Sequence, residues 1–407
     1  MGKKIVFFLF ATLAAVPYAC AAELISLGHV EVLEAYSDIK KGHPLLGQDL
    51  SGYYSPTVKF SDKLYLIPLY SVQFQRIRQY LPTEEGNKLY NTYFTNNFNL
   101  AMRYEFLPTW FVKLTALGTW NFVKESSEEA WGRGLYDYRD AGSSIELKHK
   151  VKADDYERSY TAGAQYYRRQ YPNFLSLLSA ASPTAAERRE KDFDGYKYSL
   201  GLEQTADSGF GWYVKPYYLQ KFYLDKHIVR DDGVLDDTKK RWDSVINLDG
   251  GVKVPLWAEK LFLNLDNNYT YNYSTMGYYD TRNTIPLNDD VYTRGYYSYH
   301  SFEVAPSLDL FVPVGEKKVA RLNLGYSFLD RAYSHRKAQD ENGGYTESAE
   351  RDLEHTYSSA LTWPLTKKIG LLTRFSYTIV RSNQKFEQFY KYSYDTYQVS
   401  SGLSLDF

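Results

Sequence analysis

One cysteine, Cys20, serves the whole 407-residue chain, which excludes a disulfide framework and any cysteine-based metal site. Charge of one sign is also scarce: 48 Lys and Arg meet 49 Asp and Glu, a formal net charge of −1. The cations are dispersed along the chain, so there is no electrostatic footprint for nucleic acid. No run after residue 22 approaches the ~20 apolar residues of a membrane helix, and a helical membrane protein is excluded. Phosphate-loop, zinc, EF-hand and nucleophile-elbow spacings are missing as well. No cofactor and no metal is expected.

Aromatic residues, by contrast, are abundant: 41 Tyr, 22 Phe and 7 Trp make up 17% of the chain at a mean hydropathy of −0.49. Such side chains form strands and anchor at membrane interfaces, and a barrel keeps its average hydropathy low because its strands alternate. Residues 1–22 run from basic Met1-Gly-Lys-Lys4 through apolar Ile5–Val16 to the small-residue end Pro17-Tyr-Ala-Cys-Ala-Ala22. That is the layout of a secretory signal peptide, cleaved after Ala21 or Ala22. The alternative, a lipid anchor on Cys20, meets Pro17 and Tyr18 where such a motif wants a branched apolar and a small residue.

Period-two alternation recurs downstream. In 90–106, Tyr90, Phe94, Phe98, Leu100, Met102, Tyr104 and Phe106 share one face and Thr95, Asn97, Asn99, Arg103 and Glu105 the other, the division of a strand between lipid and water. Residues 110–122 repeat it, with Trp110 and Trp120 on the apolar face. Ten residues at ~3.3 Å each, tilted by ~40°, climb about 25 Å, the height of an outer-membrane apolar band. Further segments fall at 135–151, 156–171, 194–206, 210–225, 240–254, 259–274, 291–311, 317–333, 350–364, 368–383 and 391–407, with 24–36, 49–60 and 63–79 ahead of them. Short connections at 61–62, 107–108, 152–155, 206–209, 255–258, 313–316 and 365–368 alternate with long ones at 37–48, 80–89, 125–134, 172–193, 226–239, 275–290, 334–349 and 384–390. Short periplasmic turns and longer outer loops are the barrel rule. Trp110, Trp212, Trp257 and Trp363 flank the short turns, and Trp120 and Trp242 lie at the opposite strand ends. The expected fold class is all-β, a transmembrane antiparallel up-and-down barrel over residues 23–407 with sixteen strands. Fourteen follow if the two earliest segments stay out of it, and 24–36 alternates imperfectly.

The last segment sets Tyr397, Val399, Leu403, Leu405 and Phe407 on one face and Thr396, Gln398, Ser400, Ser404 and Asp406 on the other. A chain that stops on such a strand with Phe as its final residue resembles the C-terminal signature of Gram-negative outer-membrane β-barrel proteins. The resemblance implies export to the bacterial outer membrane and recognition of Phe407 by the barrel assembly machinery. It also implies contact with outer-membrane lipid and lipopolysaccharide, strands closed edge to edge, and a polar interior.

Setting Phe407 at the periplasmic end orients every strand. The inward cations are then Arg103, Lys113, Lys148, Lys150, Arg169, Lys197, Lys215, Lys221, Arg241, Lys253, Arg321, Arg331 and Arg374. The inward anions are Glu105, Asp140, Glu146, Glu157, Glu203, Asp243, Asp249, Asp266, Glu303, Asp309, Glu354 and Asp406. Neither sign dominates, whereas a strongly charge-selective pore would carry an excess of one. Inward tyrosines, among them Tyr167, Tyr217 and Tyr297, either stack on sugar rings or fill the lumen. In the longest loop Phe174, Leu175, Leu177 and Leu178 form an apolar stretch that is costly to expose. It folds into the mouth as a constriction or packs on neighbouring loops or a second barrel. The acidic loops 226–239 and 275–290 read as solvated.

His149, His300 and His355 fall on the lipid-facing parity with no ordered nucleophile, base and orienting group around them, so an enzyme is not expected. The leading function is a porin-like channel for passive diffusion of small hydrophilic solutes, saccharides among them. Second comes a non-conducting structural or surface-interaction barrel, plugged by the 172–193 loop and by Arg–carboxylate networks. A barrel hydrolase is third. The oligomeric state stays open.

Overall fold

The structure, a computed structural model, describes residues 23–39, 45–79, 89–125, 129–174, 189–257, 260–280, 291–315, 318–387 and 391–407. The signal-peptide stretch and Cys20 lie outside them. Strands are β1 (Glu23–Ile39), β2 (Leu45–Lys59), β3 (Leu64–Gln79), β4 (Leu89–Leu107), β5 (Trp110–Lys124), β6 (Tyr138–Lys152), β7 (Tyr156–Gln170), β8 (Phe193–Ala206) and β9 (Gly211–Val229). They continue with β10 (Leu235–Trp257), β11 (Leu261–Ser274), β12 (Tyr278–Asp280), β13 (Val291–Thr293), β14 (Tyr299–Pro313), β15 (Val319–Gln339), β16 (Tyr345–Pro364), β17 (Ile369–Ser382) and β18 (Tyr394–Asp406). All but the short hairpin β12–β13 form one closed ring of sixteen strands, each antiparallel to its neighbours. Lipid offers no water to unpaired backbone groups, so only a ring without edges satisfies them all.

The stretch with the weakest alternation is a full member of that ring. β1 pairs with β2 from Glu23–Lys59 to Ser37–Leu45 and with β18 from His29–Asp406 to Ile39–Thr396. Fourteen strands are thereby ruled out. The irregular pattern has a physical cause: Leu33 and Ala35 face inward and are buried, 2% and 9% exposed, whereas Glu34 between them faces outward.

Three sets of contacts close this seam. Gly28 and Phe407 exchange backbone hydrogen bonds, N–H to carbonyl, at 2.8 and 3.0 Å. The Phe407 ring lies over Gly28, 2.3 Å from where a Cβ would stand, and stacks on Tyr54 with centroids 6.2 Å apart. Inside, His29 bridges Asp406 at 2.6 Å and Glu31 at 3.2 Å, and Arg374 reaches Glu31 at 2.7 Å.

The expected short connections at 61–62, 107–108, 152–155, 206–209 and 365–368 fall where consecutive strands meet at one end of the barrel, whereas 255–257 belong to β10; the other end departs from the sequence reading in three places. Segments 226–239 and 334–349 are not loops; they prolong the β9–β10 and β15–β16 pairs into hairpins that turn at 230–234 and 340–344. Asp232 and Asp236 there accept backbone N–H groups of Val234, Thr238 and Lys239 at 2.9–3.0 Å, so these carboxylates shape the turns. The segment expected at 291–311 joins the ring only at Tyr299, because Gly295, with φ of 66°, breaks the strand and leaves 291–293 to pair with β12.

The loop before β6 is pinned by one side chain. Asp137, 3% exposed, accepts the N–H of Val123 at 2.7 Å, the N–H of Gly134 at 3.2 Å and the Asn173 amide at 3.3 Å; burial pushes its carboxyl above the usual carboxylate range. Asp137→Ala strands two buried N–H groups, which costs about 1–3 kcal/mol each. Hydrogen exchange of the Val123 and Gly134 amides is therefore expected to accelerate at least tenfold, with the amides of β16 unchanged.

Candidate functional site

Side chains that can meet a solute in a barrel are those on the inner face, and the strand pairing assigns that face residue by residue. Outward, Leu200 is 62% exposed and Trp257 58%. Inward stand amides and hydroxyls that bond across strands: Thr119 to Asn97 at 2.8 Å, Thr95 to Asn121 at 2.6 Å, Asn247 to Thr270 at 2.8 Å. An apolar exterior around a polar interior inverts the arrangement of a water-soluble protein and suits a barrel set in lipid. The chain is a sixteen-stranded β-barrel of the outer-membrane kind.

Most of the inward charges read from the sequence neutralise one another. Lys113 meets Glu146 at 3.2 Å, Lys150 meets Glu157 at 2.8 Å, Lys148 lies 3.8 Å from Glu203, and Lys215 pairs with Glu203 as well. Arg169 forms a two-pronged pair with Asp140 at 2.8 and 2.7 Å and covers the Tyr138 ring at 4.0 Å. Arg241 grips Asp243, two residues on, at 3.0 and 2.7 Å, between the rings of Tyr223 and Tyr297 at 4.5 and 4.8 Å. Arg321 binds Asp309 at 2.9 Å, Asp309 also accepts from Asn264 and Asn323, and Asp266 accepts the Tyr213 hydroxyl at 2.8 Å. Arg103 lies over Phe111 at 4.2 Å, 3.7 Å from Glu105. Glu303 pairs in register with Asn268 and Leu329. Arg–carboxylate forks of this geometry are charge-assisted and rigid, so they stiffen the wall and present little net charge to a solute.

Three lysines and one arginine on the inner face are without an ion pair among the described residues; of these, Lys253 lies 4.2 Å from the Phe262 ring and Arg331 5.3 Å from the Tyr299 ring. Lys197 on β8 lies 4.2 Å from the Tyr217 ring and Lys221 on β9 lies 5.6 Å from Phe193; neither forms an ion pair with a described residue. On the far side of the ring, Asp49 on β2 and Glu354 on β16 are likewise without an ion pair among the described residues. Lys197, Asp49 and Glu354 each stand nine or ten residues from the short-turn end of their strands, at Ala206, Lys59 and Pro364. Charges of opposite sign that lack ion pairs thus stand at a similar height on well-separated strands, Asp49 in the field of Arg374 and Glu354 accepting from the Thr356 hydroxyl at 3.3 Å. Lys197 opens on a space of about 410 Å³ lined also by Arg169, Tyr167, Ser71, Asn97 and Thr119. Tyr167 does not project into it freely, for its ring lies flat over Gly195, 2.5 Å from where a Cβ would stand.

At the outer mouth Phe174 packs on the neighbouring loop, its ring 6.1 Å from Tyr136, with the Lys191 ammonium 4.2 and 4.6 Å from the two rings. Burial holds the Lys191 amine below its usual range. Leu175 and Leu178 lie outside the described residues. The strand histidines face outward among rings: His149 stacks on Trp110 at 4.2 Å, His300 and His355 each share a 2.8 Å hydrogen bond with a tyrosine, Tyr269 and Tyr326. No group of three or more His, Cys, Asp or Glu among the described residues is placed to hold a metal.

Asp49 and Glu31 are absent from the charges read off the sequence. Asp49 opened an expected strand, and carrying the alternation of Ser51, Tyr53 and Ser55 back by one step would have placed it inside.

No family model matches the chain, and no curated protein matches its sequence. Several solved outer-membrane structures are similar in fold. OccAB4 of Acinetobacter baumannii is 11% identical, with 94% of this chain and 98% of that one covered and a TM-score of 0.45. OccD3 of Pseudomonas aeruginosa is 9% identical over 94% of this chain and 91% of that one at 0.43, and a bacterial polysaccharide outer membrane secretin is 8% identical over 94% and 98% at 0.43. The likeness is one of overall barrel shape, and the fold itself rests on the strand pairing.

Proposed function

We propose that the protein is a porin-like outer-membrane channel for passive diffusion of small hydrophilic solutes. The observation that carries this reading is that inward charges such as Lys197, Asp49 and Glu354 lack ion pairs on a polar inner wall whose other charges are mostly paired. A wall built only to plug would gain from neutralising these too, since a buried unpaired charge is costly; charges left free toward a water-filled passage keep their hydration and orient polar solutes. Saccharides fit the amides and hydroxyls of the wall, although Tyr167 is spoken for by Gly195 and Tyr217 by Lys197, which leaves fewer free ring faces than the tyrosine count implies. Lipid and lipopolysaccharide would surround the apolar belt, and the barrel assembly machinery would read the Phe407 strand.

A non-conducting barrel is the second reading, favoured by the density of Arg–carboxylate forks and by Phe174 packed at the outer mouth. A hydrolase has no support in the placement of His149, His300 and His355 beside rings on the outer face. Purified protein in a planar bilayer separates the first two. Discrete conductance steps are expected, larger in 1 M KCl than in 0.1 M KCl, and a silent membrane with correctly folded protein inserted would sink the channel reading.

A further inference from the structure

Inside the junction of β1 and β18, four ionisable side chains form one row. Asp406 on β18, His29 and Glu31 on β1 and Arg374 on β17 follow one another: His29 Nδ1 lies 2.6 Å from Asp406, its Nε2 3.2 Å from Glu31, and the Arg374 guanidinium donates to Glu31 at 2.7 Å. Arg374 reaches β1 by crossing β18, which lies between. It can do so because the inner face of β18 is small there, with Ser400, Gly402 and Ser404 in line and both serines only 6% exposed. The row therefore ties three strands together on the lumen side, independently of the Phe407 ring outside.

Both ring nitrogens of His29 thus stand against carboxylate oxygens, which accept hydrogen bonds and donate none. A neutral imidazole has one N–H and can serve one of the two; only the imidazolium serves both. The charge count agrees. Asp406 and Glu31 meet one permanent cation, Arg374, and a protonated His29 supplies the second. Nothing else around the ring takes its place. β2 contributes the Tyr53 ring, stacked on His29 with centroids 5.8 Å apart, and Asp49, a further anion in the field of Arg374 and Glu31. The turn before β17 contributes the Lys368 carbonyl, which accepts the Asp406 N–H at 2.9 Å.

We infer that this row is a proton-dependent clasp on the closing junction of the barrel, complete while His29 carries both ring protons and one charge-assisted bond short once it has lost one. Its contribution is full on the acid side of the ring's titration, which for a free imidazole centres at about pH 6.5, and is lost as the pH rises through it. The clasp depends on the closed ring and not on conduction, so a silent but folded barrel leaves it standing. The full chain is refolded into phosphatidylcholine vesicles, and unfolding in urea is timed at pH 5.5 and pH 9 from the loss of heat-modifiable gel mobility. Wild type is expected to unfold faster at pH 9, by a factor roughly three times larger than the same ratio in His29→Gln, the worth of one ion pair open to water. At pH 9 the two proteins should unfold within about twofold of each other. Equal ratios in the two proteins overturn the clasp, whether or not the variant is weaker throughout, because a ring that only packs on Tyr53 is worth the same at every pH. If His29→Gln does not fold, Asp406→Asn decides. Its amide oxygen still accepts from the ring but bears no charge, so the wild-type pH step should shrink by about half, and an undiminished step overturns the clasp as well.

Discussion

Gly28→Val is expected to leave most of the protein unable to close. A Cβ at this position would stand 2.3 Å from Cε2 and 2.4 Å from Cζ of Phe407, well inside van der Waals contact, so the ring must leave its seat. Overpacking of this kind costs about 1–3 kcal/mol, and the lost ring stack on Tyr54 adds about 0.5–1.5 kcal/mol. Phe407 lies just past the end of β18 and its ring is half-exposed, so the ring can swing aside, and the cost is the loss of its seat on Gly28 and of its stack on Tyr54. The expected readout is a fall in the fraction of heat-modifiable, folded protein after refolding into vesicles, and an unfolding midpoint in urea lowered to match about 3 kcal/mol. Phe407→Ala removes the ring but leaves Gly28 clear, and should cost less than Gly28→Val. Equal folding of Gly28→Val and wild type would show that the Phe407 ring does not rest where the structure places it.

In the channel proposed above, Lys197→Glu is expected to turn the ion preference toward cations. The substitution changes the local charge by two at an inward ammonium that has no ion pair among the described residues and borders a space of about 410 Å³. For an ion passing at ~6 Å in a medium like water each unit charge is worth ~0.7 kcal/mol, so the two-unit change raises an anion by ~1.4 kcal/mol and lowers a cation by as much, about a hundredfold shift in the anion-to-cation permeability ratio before screening. The measurement is the reversal potential under a KCl gradient. It should be made at low salt, because at 1 M the Debye length shrinks to ~3 Å and screens the effect. A reversal potential that stays put at low salt would mean that solutes do not pass Lys197. The ion-paired Lys113 makes a suitable comparison: Lys113→Gln leaves Glu146 unpaired and should move the ratio less, by one charge.

The architecture was legible to a large degree because a barrel writes itself in a two-residue period and in turns of unequal length. Sixteen ring strands were expected, 24–36 being the one whose alternation was imperfect, and the inward parity of residues such as Arg169, Arg241 and Arg321 follows from the same pattern. β1 was the weakest strand to read for a reason the structure supplies. Its inner face buries Leu33 and Ala35, its outer face exposes Glu34, and both invert the rule that reveals a strand. The outer hairpins at 226–239 and 334–349 were missed because strands beyond the membrane no longer face lipid and need not alternate. Which charges are paired was beyond the sequence altogether. Arg241 binds Asp243 two residues along its own strand, but Arg169 and Asp140 are 29 residues apart and Arg374 and Glu31 are 343 apart. Pairing depends on register and on side-chain reach, and neither is encoded by parity.

The seam has a consequence for how the chain reaches its native state. His29 and Asp406 are 377 positions apart, and every other pairing in the ring joins strands that follow one another in sequence, save β11 and β14, which have only the short β12 and β13 between them. Hairpins can therefore form locally and early, whereas the last junction has to wait for ends that are remote along the chain, a contact whose entropy is the largest in the molecule. Until then the growing sheet has two unsatisfied edges, each a template for any strand that drifts past. A complementary edge offered from outside during this interval would both protect it and shorten the search. The same openness makes exchange of β1 between two unfinished barrels the characteristic error to look for when refolding is carried out at high protein concentration.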